Sequence, residues 1–374
     1  MSATESPDVL IIGAGVIGCA IARALALGGA GRVVVVDRGQ PGAEASGAAA
    51  GVLAVASGRA PRGALFELKR ASARLYPRLV AELHAETGHE VGYVAGGLLD
   101  LAFTSREAEQ LDHLIAKRAE DGFRVERLDG DAVRERYPQI NPAVRRGAYF
   151  ADDAAIDNGK LVAALHAAAE ARGVRFLLGR RVRRLHALRE RVTAVELDDA
   201  RLTPGHVVIA AGAWSAALGA GLRARIPIGA DRGEMMAVKL RPPLPPLPLP
   251  VSWRDGYLVP RPDGEVLIGS TSAPGVTDKQ VTAGNAALLL TRAVRMLPGL
   301  ADAPIVRVWS GLRPVCTLGR PIIGPLRGFA NLTLAVGHHR NGILLAPITA
   351  QLIAELILHG ATSLPLEPFK YRPR

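Results

Sequence analysis

The chain has 374 residues, too many for one simple domain and enough for two that share a large core. Its 49% hydrophobic and 22% charged content is that of an ordinary globular protein. The net charge of +11 comes mainly from scattered arginines and aromatics are only 4%, so a nucleic-acid surface, a basic patch with interleaved aromatics, is not expected.

Val9 to Ile12 reads as a buried strand. It breaks into Gly13-x-Gly15-x-x-Gly18 and continues into a helix from Cys19 to Ala26. A second strand, Val33 to Val36, ends in Asp37. Strand, glycine turn, helix, strand and acid make the full dinucleotide fingerprint. Gly13 allows the turn, Gly15 admits a pyrophosphate, and Gly18 lets the helix pack on the strand. The helix N-terminus supplies amides and a favourable dipole. Asp37 suits ribose hydroxyls and repels a 2′-phosphate, which disfavours NADP. The apolar run Val9 to Ala30 resembles a signal or membrane segment. However, Glu5 and Asp8 precede it, and the glycines and Arg23 interrupt it, so neither is expected.

The small-residue stretch Gly42 to Gly51 suggests a backbone lying close to a flat ligand. Ala64 to Gly88 has helical periodicity, with Pro77 as an expected kink. Tyr93 to Ala102 alternates like a strand, and Ser105 is the expected N-cap of a helix to Asp121. Lys160 to Arg172 reads as helix, Val174 to Leu178 as strand, and Val182 to Leu197 as a strand pair. Val207 to Ser215 reads as an apolar strand that runs into a glycine turn, with 207–212 returning to the nucleotide sheet. The proline-rich run Arg241 to Pro250 reads as a rigid connector rather than an SH3-type ligand. Gly256 to Arg261 and Glu265 to Gly269 form a hairpin. Ala286 to Met296 is helical, and Val306 to Gly311 and Leu332 to Val336 are strands. The last helix, near Leu344 to His359, has Pro347 in its expected first turn. Cys19 and Cys316 form neither a CxxC pair nor part of a metal cluster, which suits a reducing cytoplasm. There is no internal repeat and no second dinucleotide fingerprint, which argues against reductases needing two nucleotide sites.

The fingerprint alone leaves NAD and FAD open. The ordered set of Gly13–Gly18, Ala45–Gly51, Ala210–Ser215, Trp309–Pro314 and Gly337–Pro347 resembles the D-amino-acid-oxidase (DAO) superfamily of FAD enzymes, and within it the glycine oxidases of thiazole (thiamine) biosynthesis. The last motif is shared with related dehydrogenases such as hydrogen-cyanide-synthase subunits. The resemblance implies an α/β protein with a Rossmann-like FAD-binding domain of the GR2/DAO type and an α+β substrate domain on a large antiparallel sheet. Residues 1–90, 150–222 and 322–374 would form the first, and 91–149 and 223–321 the second.

The implied cofactor is FAD. The implied chemistry is oxidation of a small amino acid or amine, with molecular oxygen or a quinone-type acceptor taking the electrons. Homo-oligomerisation is left open. Arg313 is the expected carboxylate anchor, because a guanidinium fork binds a carboxylate through two charge-assisted hydrogen bonds. Tyr257 would give its hydroxyl to the same carboxylate, and Arg340 would act on the amine through its carbonyl. The expected cofactor contacts are Gly13, Gly15, Val16, Ile17, Gly18, Asp37, Arg38, Ser46, Ala48, Ala49, Ala50, Gly51, Val182, Ala211, Gly212, Trp214, His338, Arg340, Asn341, Gly342, Ile343 and Leu344. No metal is expected. Ser272 replaces an apolar residue of the glycine oxidases and would make the pocket wider or more polar. Cys316 lies where sarcosine oxidases attach flavin covalently; a packed cysteine is favoured here.

Overall fold

The computed structural model describes residues 6–242, 245–254 and 256–371. Val9–Ile12 lies inside a six-stranded sheet. The order is Ile322–Pro325, Leu332–Val336, His206–Ile209, Val9–Ile12, Val33–Val36 and Arg175–Leu177. All neighbours are parallel except the outer strand Ile322–Pro325. Both faces of this sheet are covered, which is why its strands read as unbroken apolar runs. Val9 and Ile11 point into a core shared with the helices Val16–Leu27, Ala64–Thr87, Asn158–Ala171 and Gly342–His359. Leu10 and Ile12 point the other way, onto the small sheet of Val182–Leu188, Arg191–Leu197 and Arg201–Leu202. The two-residue period of a strand sorts neighbours onto opposite faces.

A second, nine-stranded sheet runs Ala273–Pro274, Ile228–Lys239, Glu265–Gly269, Gly256–Pro260, Val251–Trp253, Leu98–Ala102, Arg146–Phe150 and Val125–Asp129. Ile305–Cys316 pairs along the length of Ile228–Lys239. One contact, Val251–Trp253 with Leu98–Ala102, is parallel, and the others are antiparallel. The same alternation decides the site. Met236, Leu258 and Ile268 face the helix Ala283–Met296, whereas Met235, Tyr257 and Trp309 face Ala50 and Val52. The second face therefore closes over the small-residue stretch that follows the nucleotide fingerprint.

Several local expectations change. The helix Ser105–Glu120 is capped by Thr104, not Ser105. Thr104 Oγ1 accepts from the Glu107 amide at 3.2 Å, and Glu107 returns a carboxylate to the Thr104 amide at 3.1 Å. This capping box selects the residue three before the glutamate, so Ser105 is one position late. Only Leu98–Ala102 of the stretch from Tyr93 is strand, and Val94 makes an isolated bridge to Ala155. The strand expected at Val306–Gly311 extends over Ile305–Cys316, because Ile228–Lys239 pairs with it throughout. The helix expected from Ala64 to Gly88 forms over Ala64–Thr87 with Pro77 inside it, and it ends at Gly88, whose φ of 71° suits glycine. In the proline-rich run, Pro243 and Leu244 lie outside the described residues. Leu247 and Leu249 are buried in the core of the large sheet, as suits a connector within the fold.

The last helix spans Gly342–His359, so Pro347 falls in its second turn rather than its first. A proline there removes the amide that would bond the Ile343 carbonyl. The Tyr76 hydroxyl donates to that carbonyl instead. Ser72 Oγ donates to the Leu344 carbonyl at 2.6 Å and accepts from the Ile348 amide at 3.4 Å. By length and hydropathy this helix could span a bilayer, but most of it is buried against Val16–Leu27 and Ala64–Thr87.

Candidate functional site

One cavity of about 760 Å³ runs between the two large sheets, within the size range of small-molecule and cofactor sites. The glycine turn closes one end. Gly13 has φ of 116°, and a Cβ on it would stand 2.4 Å from the Ala210 carbonyl oxygen. A Cβ on Gly18 would stand 1.8 Å from the Gly13 carbonyl oxygen. Gly18 thus sits at the helix–strand contact, outside the cavity, while Gly13, Gly15, Val16 and Ile17 line it.

Asp37 lines the cavity and also holds the turn. Its Oδ2 accepts from the Ala14 amide at 2.7 Å and its Oδ1 from the Gly39 amide at 2.8 Å. The Val16 amide, expected to be free for an anion, donates to Ser46 Oγ at 3.0 Å. Arg38 lies with its guanidinium carbon 3.9 Å from the centre of the Trp214 ring. Val182, Ala211 and Gly212 complete this end. A Cβ on Gly212 would meet no atom within 4 Å, so the cavity is open above its backbone.

Ala48, Ala49, Ala50 and Gly51 form the middle wall. Trp309 Nε1 donates to the Ala48 carbonyl at 3.1 Å, and Arg261 Nη2 to the Ala50 carbonyl at 3.0 Å. A Cβ on Gly311 would stand 2.4 Å from that of Ala48, so glycine is required where the large sheet crosses the stretch. Opposite lies the N-terminus of Gly342–His359. Asn341 gives it no side-chain cap, and Asn341, Gly342, Ile343 and Leu344 line the cavity. An uncapped first turn presents amides and the positive end of a helix dipole.

The expected anchor sits at the centre. Arg313 lies over Gly233, where a Cβ would stand 2.1 Å from Nη2. Its Nη2 donates to Ser270 Oγ at 2.8 Å, and its Nη1 donates to the Thr271 carbonyl at 3.0 Å and to Asp231 Oδ2 at 3.3 Å. Tyr257 also reaches this region from the hairpin. Its ring fills the space left by Gly269, and its hydroxyl lies 3.4 Å from Met235 Sδ. Arg340 lines the cavity and is exposed.

Asp231 was not anticipated. It is 1% exposed and accepts four hydrogen bonds. Oδ1 takes Ser272 Oγ at 2.8 Å and the Ala273 amide at 2.9 Å, and Oδ2 takes Arg313 and, at 2.9 Å, His339 Nε2. Burial pushes its carboxyl up, but the bonds from His339 and Ser272 and the Arg313 charge outweigh this and hold it below the ordinary value. Burial keeps His339 below its ordinary value; the bond to Asp231 opposes this, and the Arg340 and Arg313 charges reinforce it. Facing the Asp231 carboxylate, which can only accept, His339 Nε2 is the donor of this bond. His338 is buried, with Nε2 3.1 Å from Thr349 Oγ1, and burial lowers its pKa to about 4.

One expectation changes here, that for Ser272, and the packed reading of Cys316 holds. Ser272 does not line the cavity; its hydroxyl turns toward Asp231 beneath Arg313, so its polarity serves the anchor. Cys316 does not line the cavity either and packs in the apolar core between the small sheet and the nucleotide sheet. Among the described residues, no group of three His, Cys, Asp or Glu side chains could hold a metal. The far end of the cavity, formed by Arg59, Lys69, Asp100, Ser252 and Arg254, was also missed. These residues carry no motif and are distant in the chain.

The donor set fits an FAD: glycine turn and Asp37 at one end, small residues along the middle, and an uncapped helix N-terminus beside the central arginine. Residues 8–356 match the model of the "FAD dependent oxidoreductase" (DAO) family. The chain is 36% identical to a glycine oxidase of Geobacillus kaustophilus, over 98% of this chain and 97% of that one. It is 36% identical to a bifunctional protein ThiO/ThiG of Trichormus variabilis, over 97% of this chain and 54% of that one. Superposed on the crystal structure of the Geobacillus kaustophilus glycine oxidase, it gives a TM-score of 0.93 at 34% identity, covering 99% of this chain and 98% of the other. The structure of an iminodiacetate oxidase from Chelativorans sp. BNC1 gives 0.90 at 27%, covering 97% and 98%.

Proposed function

We propose, from the premise that this chain belongs to the DAO family of FAD-dependent oxidoreductases, that it oxidatively deaminates glycine or another small amine or amino acid. Two electrons and two protons leave the substrate to give the imine and, with oxygen as acceptor, hydrogen peroxide; water then hydrolyses the imine to the 2-oxo acid with release of ammonia, or of the amine from an N-substituted substrate. The single observation that carries this reading is the placement of Arg313, a cavity-lining guanidinium oriented by Ser270, Thr271 and Asp231 beside the uncapped N-terminus of Gly342–His359. Bound FAD supplies the two-electron acceptor. The chain's own residues bind and orient. Arg313 holds the substrate carboxylate, with Tyr257 donating to the same group. The Arg340 carbonyl takes the amine, and the amides of Gly342, Ile343 and Leu344 favour negative charge on the cofactor. No protein base is required, and neither His338 nor His339 is assigned as one.

The same reading divides the chain into a discontinuous FAD-binding domain (1–90, 150–222, 322–374) and a substrate domain (91–149, 223–321), which the separate six- and nine-stranded sheets support. We assign it a role in thiazole (thiamine) formation, which the similarity to the ThiO/ThiG protein supports, and a cytoplasmic location, which its two free cysteines suit. The test is anaerobic mixing with glycine, sarcosine and small D-amino acids while flavin absorbance is followed. Bleaching is expected, followed on admission of air by recolouring with stoichiometric peroxide. Slow recolouring that an added quinone accelerates would identify a dehydrogenase, and no bleaching with any of them would overturn the reading.

A further inference from the structure

The cavity does not end at Tyr257. Tyr257 pairs in register with Ser252, and Ser252 with Asp100, so three neighbouring strands carry the floor outward by about 10 Å at the usual strand spacing. Arg59 and Lys69 complete the walls of this outer chamber, with Arg254 at its edge.

The charges there are unevenly matched. Asp100 is 3% exposed, accepts from Ser252 Oγ at 2.9 Å and faces Arg59 at 3.4 Å. Arg254 is paired with Glu107 at 2.6 Å. Lys69 is half-buried and, among the described residues, has no ion pair or hydrogen bond. Burial, with the nearby Arg118 charge adding to it, lowers its pKa. An ammonium held in a concave, partly dry site without a counter-ion is costly unless a ligand provides one. Asp100 does not provide it, since its carboxylate is already occupied by Arg59 and Ser252.

We propose that this chamber is a second anion subsite, and that the preferred substrate carries, beyond the carboxylate held by Arg313, a second acidic group on a spacer that docks on Lys69 and Arg59. The inference rests on the reading of Arg313 as carboxylate anchor. It makes the substrate class an amino acid or N-substituted glycine with a distal carboxylate. Arg59, 59% exposed at the mouth, steers the distal group, and Lys69 neutralises it inside.

The test uses the purified holoenzyme and two probe series. In the first, dissociation constants for straight-chain α,ω-dicarboxylates and monocarboxylates of equal length are read from the perturbation of flavin absorbance, without turnover. At one chain length the dicarboxylate should bind at least ten-fold more tightly, and in Lys69→Met and Lys69→Gln the two series should converge. In the second, KM is compared for N-(ω-carboxyalkyl)glycines and N-alkylglycines of matched length, with the same preference expected. Equal binding of the two series at every length in the wild type would overturn the proposal, as would a preference that survives both Lys69 substitutions. Turnover of glycine without any dicarboxylate preference refutes this inference and leaves the proposed function standing. A dicarboxylate preference with no amine oxidised supports the subsite and refutes the function.

Discussion

Asp231 and Arg313 face each other across paired strands, and the buried acid holds the cavity guanidinium from beneath at 3.3 Å. The same carboxylate oxygen accepts from His339 on the segment leading into Gly342–His359, so one residue ties the anchor strand to that helix start. Arg313 is thereby aimed before any substrate arrives, which lowers the ordering cost of binding.

Arg313→Ala should raise KM for the amine substrate by about 100-fold, from the loss of two charge-assisted hydrogen bonds worth roughly 1.5 kcal/mol or more each. Bound flavin, read from the visible spectrum, should be retained. Arg313→Lys should fall between, because it keeps the charge without the fork. Unchanged kinetics in Arg313→Ala would remove the residue from the site.

Asp231→Asn keeps the shape but offers one acceptor oxygen where four donors converge, and turns an NH2 toward two of them. KM should rise about ten-fold through misaiming of Arg313, with a smaller change in kcat. Ser272→Ala removes one of these bonds and should act in the same direction more weakly, by roughly 1 kcal/mol at most. Steady-state kinetics on both variants checks this; an effect on kcat alone would contradict a positioning role.

Cys316 lies in the core rather than the cavity, and burial raises its thiol pKa, so it is poorly placed for covalent attachment. After acid precipitation of the holoenzyme the yellow colour should remain in the supernatant, for wild type and Cys316→Ser alike. Colour in the wild-type pellet would refute this.

The depressed pKa of His338 makes a pH prediction. Folded, the imidazole titrates at about 4; unfolded, at its ordinary 6.5. Between these values the unfolded chain binds more protons, so stability falls as pH drops through the window, by roughly 3 kcal/mol in all. Above pH 6.5 both states are neutral and the term vanishes. Denaturant midpoints measured between pH 7 and 4 should fall more steeply for wild type than for His338→Gln. Parallel curves would show that His338 is not a buried neutral group.

Much of the cofactor end was legible from the chain. Gly13, Gly15, Gly18 and Asp37 are local and lie in one strand–turn–helix–strand unit, and their spacing is set by backbone geometry alone. All the expected contact residues line the cavity except Gly18, which is spent on helix–strand packing. Ser105 and Pro347 were misplaced because helix starts depend on which side chain reaches a free amide, and a one-residue shift leaves the apolar pattern nearly unchanged.

What the sequence determined by itself, then, is the dinucleotide turn, the family pattern and the order of its motifs, since each rests on residues near one another in the chain. Tertiary structure alone decided which way Ser272 and Cys316 point, because a strand residue's environment depends on its register partners across the sheet. It alone brought Asp231, Arg313 and His339 to one point, and Arg59, Lys69 and Asp100 to another. Isolated charges far apart in sequence have no period or spacing to announce them. They acquire meaning only when the fold places them around the same space and removes the water between them.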